Sequence, residues 1–168
     1  TDETMGPTRG TDWDDNGIWR LLHTHSWDPF HRFIENTWDD LSQGVARANT
    51  GIANLRNFGQ SPEIERYLAE LTILRALYMW HQLDLFGQVP FRDPEAEDFT
   101  TAPPVLNGQE AVDQIISEIE SALPNLGNSN EVPYGRVTLG AANSLLANIY
   151  LNYEVYTGTP KWQDAFDA

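Results

Sequence analysis

Asp12, Asp14, Asn16 and Gly17 are spaced like the first half of a calcium-binding EF loop. Such a loop takes oxygens from positions one, three and five and turns on a glycine at six. The second half departs from that pattern: Arg20 falls at position nine and His23 at twelve, where the loop needs an oxygen and a bidentate glutamate. No clear helix flanks the segment either. A calcium site of another geometry stays open beside the plainer reading, Asx-turns knitted by Asp and Asn side chains. The same stretch offers a second chemistry. Trp13, Trp19, Trp27 and Trp38 crowd the first 38 residues. Their rings could serve as platforms for the C–H faces of sugars, with Asp12, Asp14 and Arg20 fixing hydroxyls by charge-assisted hydrogen bonds. At least two of these rings are expected to be buried packing residues. The candidate ligand contacts are therefore Asp12, Trp13, Asp14, Trp19, Arg20 and Trp38.

His23, His25 and His31 could form a metal triad, but packing or hydrogen-bonded histidines are the default, and no metal or other cofactor is assigned. Arg75 lies on an apolar helix and needs a partner, a carboxylate such as Glu70 or backbone carbonyls. A glycosidase would need two carboxylates about 5 to 9.5 Å apart across a cleft. With 25 acidic residues in the chain, some pair meets that distance by chance, so no catalytic residue is assigned.

These residues sit in a chain of 168, long enough for one domain with a sizeable core, 40% apolar and 11% aromatic. The 25 acids face 10 bases, a net charge of −15, and Lys161 is the sole lysine. Nucleic acid is excluded as a partner because binding it needs clustered cations. Depleted lysine with excess carboxylate also resembles salt-adapted proteins. The absence of cysteine removes disulfides and thiolate chemistry. The longest apolar run, 71–85, carries Arg75, His81 and Asp84, and so is no membrane span. Without an initial Met, the sequence reads as a fragment.

Helical periodicity dominates the rest. Trp38, Leu41, Val45, Ala48, Ile52 and Leu55 predict a helix over 35–58. Ser61 and Pro62 open a second, apolar nearly all round, that Gly87 closes; Leu74 and Leu77 are expected in the core. The short link predicts that these two pack antiparallel. Residues 89–105 read as proline-rich connection. Asn107 with Glu110 suggests a capping box for a third helix ending at Pro124. A fourth helix spans 138–153 and a fifth starts near Pro160. Ala142, Leu145, Leu146 and Tyr150, followed by Trp162, Ala165 and Phe166, form a partial tetratricopeptide signature. The fold class is all-α, with tetratricopeptide-like helical pairs behind an irregular N-terminal third. One unit is expected over 1–168, irregular over 1–34 and helical over 35–168.

Taken in order, "TDETMGPTRGTDWDDNGIWRLLHTHSWDP", "WDDLSQGVARAN", "AELTILRALYMWHQLDLFGQVPF" and "GRVTLGAANSLLANIYL" resemble successive signatures of the SusD/RagB family. The third is the most specific, filled by Ala69, Glu70, Leu74, Arg75, Ala76, Leu77, Tyr78, Leu83, Phe86, Gly87, Val89 and Pro90; Asp84-Leu85 departs from it at an often basic position. The resemblance covers the front third of a usual member. It implies an outer-membrane lipoprotein of the extracellular face, built on tetratricopeptide helices, with its anchor cysteine upstream of Thr1. Such a protein binds oligosaccharides, or peptides in some relatives, and hands them to a SusC-like TonB-dependent transporter, without catalysis. A scaffold whose helical face binds another protein is the remaining alternative.

Overall fold

The structure, a computed structural model, describes residues 15–96 and 100–168. Its compact units are Thr1–Asp40 and Leu41–Ala168. In chain order the helices are α1 (Ile18–His23), α2 (Arg32–Arg56), α3 (Pro62–Phe86), α4 (Gly108–Ala122), α5 (Leu139–Thr157) and α6 (Trp162–Asp167). Strands β1 (Gln88–Pro90) and β2 (Val105–Asn107) lie between α3 and α4. The fold is all-α and tetratricopeptide-like, as expected, with a small two-stranded sheet added. No helix among the described residues is long and apolar enough to cross a membrane.

Within the second unit α2 and α3 run antiparallel, and two glycines set their spacing. A Cβ on Gly44 would fall 2.7 Å from the Tyr78 ring, and one on Gly51 2.8 Å from Leu71. A glycine inside a helix costs about 1 kcal/mol relative to alanine, and here it lets a large side chain lie directly on the helix backbone. At the α3 N-terminus Ser61 Oγ accepts a 3.2 Å bond from the Ile64 N–H, with Pro62 at the first helical position. Gly87, left-handed at φ 70°, closes the helix by donating to the Leu83 carbonyl.

The core forms where Ile73, Ala76, Met79 and Leu83 of α3 meet Val112, Ile115 and Ile119 of α4 and Leu146, Ile149 and Tyr153 of α5. Leu77 packs partly buried against it. Leu74, expected in the core, is 37% exposed instead. The apolar positions of α3 outnumber those one flank can bury, so Leu74 is only partly covered. On α6 it is Ala165 that packs on the core, whereas Trp162 and Phe166 are exposed.

Residues 89–105, expected to be plain connection, open and close with a short antiparallel pair in which Val89 faces Leu106. Phe91 N–H adds a 2.9 Å bond to the Pro104 carbonyl, and Val89 is fully buried. The capping box is also corrected. Asn107 is the N-cap of α4 but its side chain caps nothing, because Gly108 enters the helix at φ +49° and turns the first amides away.

Arg75 and Glu118 are both buried, and the guanidinium grips the carboxylate with two donors, Nε at 2.8 Å and one terminal nitrogen. Its other terminal nitrogen donates to Asn49 Oδ1 at 2.8 Å, and Gln114 donates to Glu118 at 3.1 Å. Glu70, the partner suggested for Arg75, instead takes Arg136 at 2.6 Å. Five residues along a helix is about 140° around it, so Glu70 and Arg75 face different neighbours.

Candidate functional site

The first unit carries a concavity of about 440 Å³ lined by Asn16, Ile18, Leu21, Asp28, Phe30, His31 and Arg32. Local backbone chemistry builds it. Asn16 and Gly17 adopt left-handed conformations, φ 52° and 78°, in the 3-10 turn that leads into α1, positions that suit an Asn-Gly pair. Helix α1 ends where Thr24 caps the Arg20 carbonyl twice, by its N–H at 2.9 Å and its hydroxyl at 2.8 Å. The chain then reverses at Asp28-Pro29. Asp28 Oδ1 accepts a 2.9 Å bond from Phe30 N–H, and its carbonyl accepts from His31 N–H at 3.1 Å. That turn holds the Phe30 ring outward, 83% exposed.

His31 ties the two sides together. It is buried, and its Nε2 lies 3.1 Å from the Ile18 carbonyl. A carbonyl only accepts, so Nε2 carries the proton and Nδ1 is an acceptor in the neutral ring. Among the described residues that Nδ1 is buried without a hydrogen-bond partner. Arg32 sits over the Phe33 ring at 5.0 Å. Thus an exposed aromatic ring, a carboxylate, a guanidinium, an amide and an orphaned imidazole acceptor border one hollow. That set can bind a neutral polyhydroxylated ligand, with the ring against C–H faces and the polar groups on hydroxyls.

Of the residues singled out from the sequence, Asp12, Trp13 and Asp14 lie outside the described residues. Trp19 is half-buried with its ring 4.7 Å from that of Phe33, Arg20 is exposed on α1, and Trp38 is half-buried on α2. None of these three lines the hollow. The expectation that two early tryptophans are buried is not met by Trp19, Trp27 and Trp38, since Trp27 is exposed and touches His25 at 5.3 Å. No three His, Asp or Glu side chains gather as a metal site among the described residues. Sequence reasoning missed Asp28, Phe30 and Arg32, and singled out His31 for a different role, as a metal candidate or a hydrogen-bonded histidine; the second is what it is. The Asp-Pro turn was a usable signal for this hollow, but the outward ring after it was not.

The fold is that of a helical protein with tetratricopeptide-like pairs. The chain belongs to the SusD-like family, described as starch-binding and associating with the outer membrane, which it matches over residues 7–151. It is 29% identical over 153 residues to the starch-binding protein SusD of Bacteroides thetaiotaomicron, covering 91% of this chain and 27% of that protein. A SusD-like carbohydrate-binding protein from Bacteroides fragilis superposes with a TM-score of 0.78 at 16% identity, over 91% of this chain and 29% of the other. A laminarin-binding SusD-like protein does so at 0.69 and 25% identity, over 82% and 30%. The chain therefore spans under a third of the length of these relatives.

Proposed function

We propose that this chain is part of a cell-surface binding protein that captures neutral oligosaccharides and passes them to a SusC-like TonB-dependent transporter, without catalysing any change in them. The protein is held at the extracellular face of the outer membrane by a lipid anchor outside residues 1–168. The observation that carries the reading is the hollow beside Phe30: an outward aromatic ring flanked by Asp28, Arg32 and the unpaired acceptor of His31, in a chain of a family described as starch-binding. Asp12, Trp13, Asp14, Trp19, Arg20 and Trp38 stay candidate contacts for the same ligand by residue type. The net charge of −15 favours a neutral ligand over an anionic one.

Calorimetry on the full-length protein with starch-, laminarin- and xyloglucan-derived oligosaccharides tests this. Phe30→Ala is expected to weaken binding by about 1 to 3 kcal/mol and Arg32→Ala by a similar amount. The oligosaccharides should be recovered intact. Unchanged affinity in folded Phe30→Ala and Arg32→Ala variants, or hydrolysis abolished by one carboxylate substitution, overturns the reading. Co-purification of a large TonB-dependent barrel from outer membranes tests the transporter.

A further inference from the structure

We propose that the second unit holds a separate saccharide subsite, in the groove between α2 and the Pro90–Pro94 segment. The groove has a volume of about 390 Å³, inside the ~300–1,000 Å³ span of small-ligand pockets. It is held open by a rigid wall. Asn49 accepts from the buried Arg75 guanidinium at 2.8 Å and donates to the Arg92 carbonyl at 3.3 Å, so the core ion pair, α2 and the segment after β1 are one bonded assembly. Its floor is aliphatic, with Val45, Ala46 and Ala53 on α2 and Pro90 opposite.

Gln82 points to a ligand. It lines the groove at 2% exposure; its Nε2 donates to Ser42 Oγ at 3.1 Å, and its Oε1 is buried with no partner among the described residues. Turning the amide over moves the deficit to the nitrogen without removing it, since Ser42 satisfies one end only. A buried polar group in this condition keeps its full desolvation penalty until something pairs with it. Asn54, exposed at the mouth, adds an amide that both donates and accepts.

The two surfaces match one chemistry. Aliphatic walls meet the C–H faces of a sugar ring, while a buried acceptor and a free amide meet neighbouring hydroxyls, which donate and accept at once. An anion is disfavoured by the net charge of −15. A purely hydrocarbon ligand leaves Gln82 unpaired. The assignment rests on the glycan-binding reading above, but it invokes no residue of the first unit.

The test is calorimetry on the full-length protein with maltotriose, laminaritriose and cellotetraose, and with trialanine as a peptide probe. Ala53→Trp fills the groove, Gln82→Met removes the buried amide at similar volume, and Phe30→Ala disables the hollow of the first unit. The wild type is expected to bind one of the saccharides at two sites. Ala53→Trp should abolish one site and keep the other, Gln82→Met should weaken that same site about tenfold, and Phe30→Ala should remove the other. A folded Ala53→Trp variant that keeps both sites overturns the subsite. Should that variant not fold, Gln82→Met with both affinities unchanged overturns it equally. Trialanine bound where no saccharide binds overturns the saccharide class. A loss of binding confined to Ala53→Trp, with Phe30→Ala unchanged, upholds the subsite and removes the hollow; no saccharide bound at all removes both.

Discussion

Arg75 shows how a single residue can be read correctly in kind and wrongly in partner. An arginine on an apolar helix face demands a carboxylate, but which one depends on the direction the side chain takes, and only the packing of α3 on α4 puts Glu118 there rather than Glu70. The pair is buried, hydrogen-bonded on both sides, and stacked under the Phe91 ring at 5.6 Å. Removing one partner leaves the other charged in a low-dielectric site. Arg75→Met or Glu118→Leu alone should cost about 3 to 5 kcal/mol in denaturant unfolding. The double variant should lose much less than the sum, because no charge remains unpaired. Additive losses would mean that the two residues do not act as a pair. The hollow of the first unit was less legible for the opposite reason. Tryptophans advertise themselves by type, yet Trp19 packs on Phe33 while the ring that faces outward, Phe30, is distinguished only by the turn at Asp28.

At the scale of elements, long helices were legible and short ones were not. Stripes of three-and-four spacing located α2 to α5 to within a few residues, since each helix repeats its signal over four or more turns. Strands of three residues, such as β1 and β2, and the six-residue α1 repeat nothing, so periodicity cannot find them. Exposure within a helix was likewise beyond composition: Leu74→Ala should cost under about 1 kcal/mol, far less than a core leucine. Gly44→Ala has the opposite character. Alanine ordinarily strengthens a helix, but three Tyr78 ring carbons lie 2.7 Å from the new methyl, so the variant should lose about 1 to 3 kcal/mol.

Helix α5 is keyed to its neighbours by three tyrosines spaced three apart. Tyr150 donates to Glu120 at 2.8 Å, Tyr153 to Asp113 at 2.7 Å and Tyr156 to Asp84 at 2.8 Å. Burial, and then these hydrogen bonds, raise all three hydroxyls, Tyr153 and Tyr156 to about 12. The folded values exceed the unfolded value of about 10, so this stabilisation is complete below pH 10 and is lost as pH rises through 12. Unfolding free energy should therefore drop across that window. The Lys161 ammonium also rests on this helix, 4.3 Å from the Tyr153 ring centroid. Tyr153→Phe keeps that ring, so it isolates the hydroxyl: it should be less stable at pH 8 and lose less on going to pH 12. An unchanged alkaline slope would remove the tyrosines as its cause.

For the whole molecule the decisive quantity is charge. With 25 acids against 10 bases, most carboxylates have no cation available, and some of the available arginines, such as Arg75, are spent on buried carboxylates. The surplus repels itself across the surface, which opposes the compact state. Salt shortens the reach of that repulsion to about 10 Å at 0.1 M and about 3 Å at 1 M, while the Arg75–Glu118 pair, shielded from solvent, is screened far less. Exposed pairs such as Arg56–Glu95 weaken in salt, but each contributes only about 0 to 1 kcal/mol, less than the summed repulsion relieved. The melting temperature should accordingly rise by several degrees between 0.02 and 0.3 M sodium chloride, at concentrations where screening, not solute exclusion, is the operating effect. Sodium chloride and potassium chloride should act alike if screening is the cause. A melting temperature that stays flat or falls over this range would show that exposed ion pairs outweigh the surplus, and would leave the lysine-poor acidic surface without a stabilising role for salt.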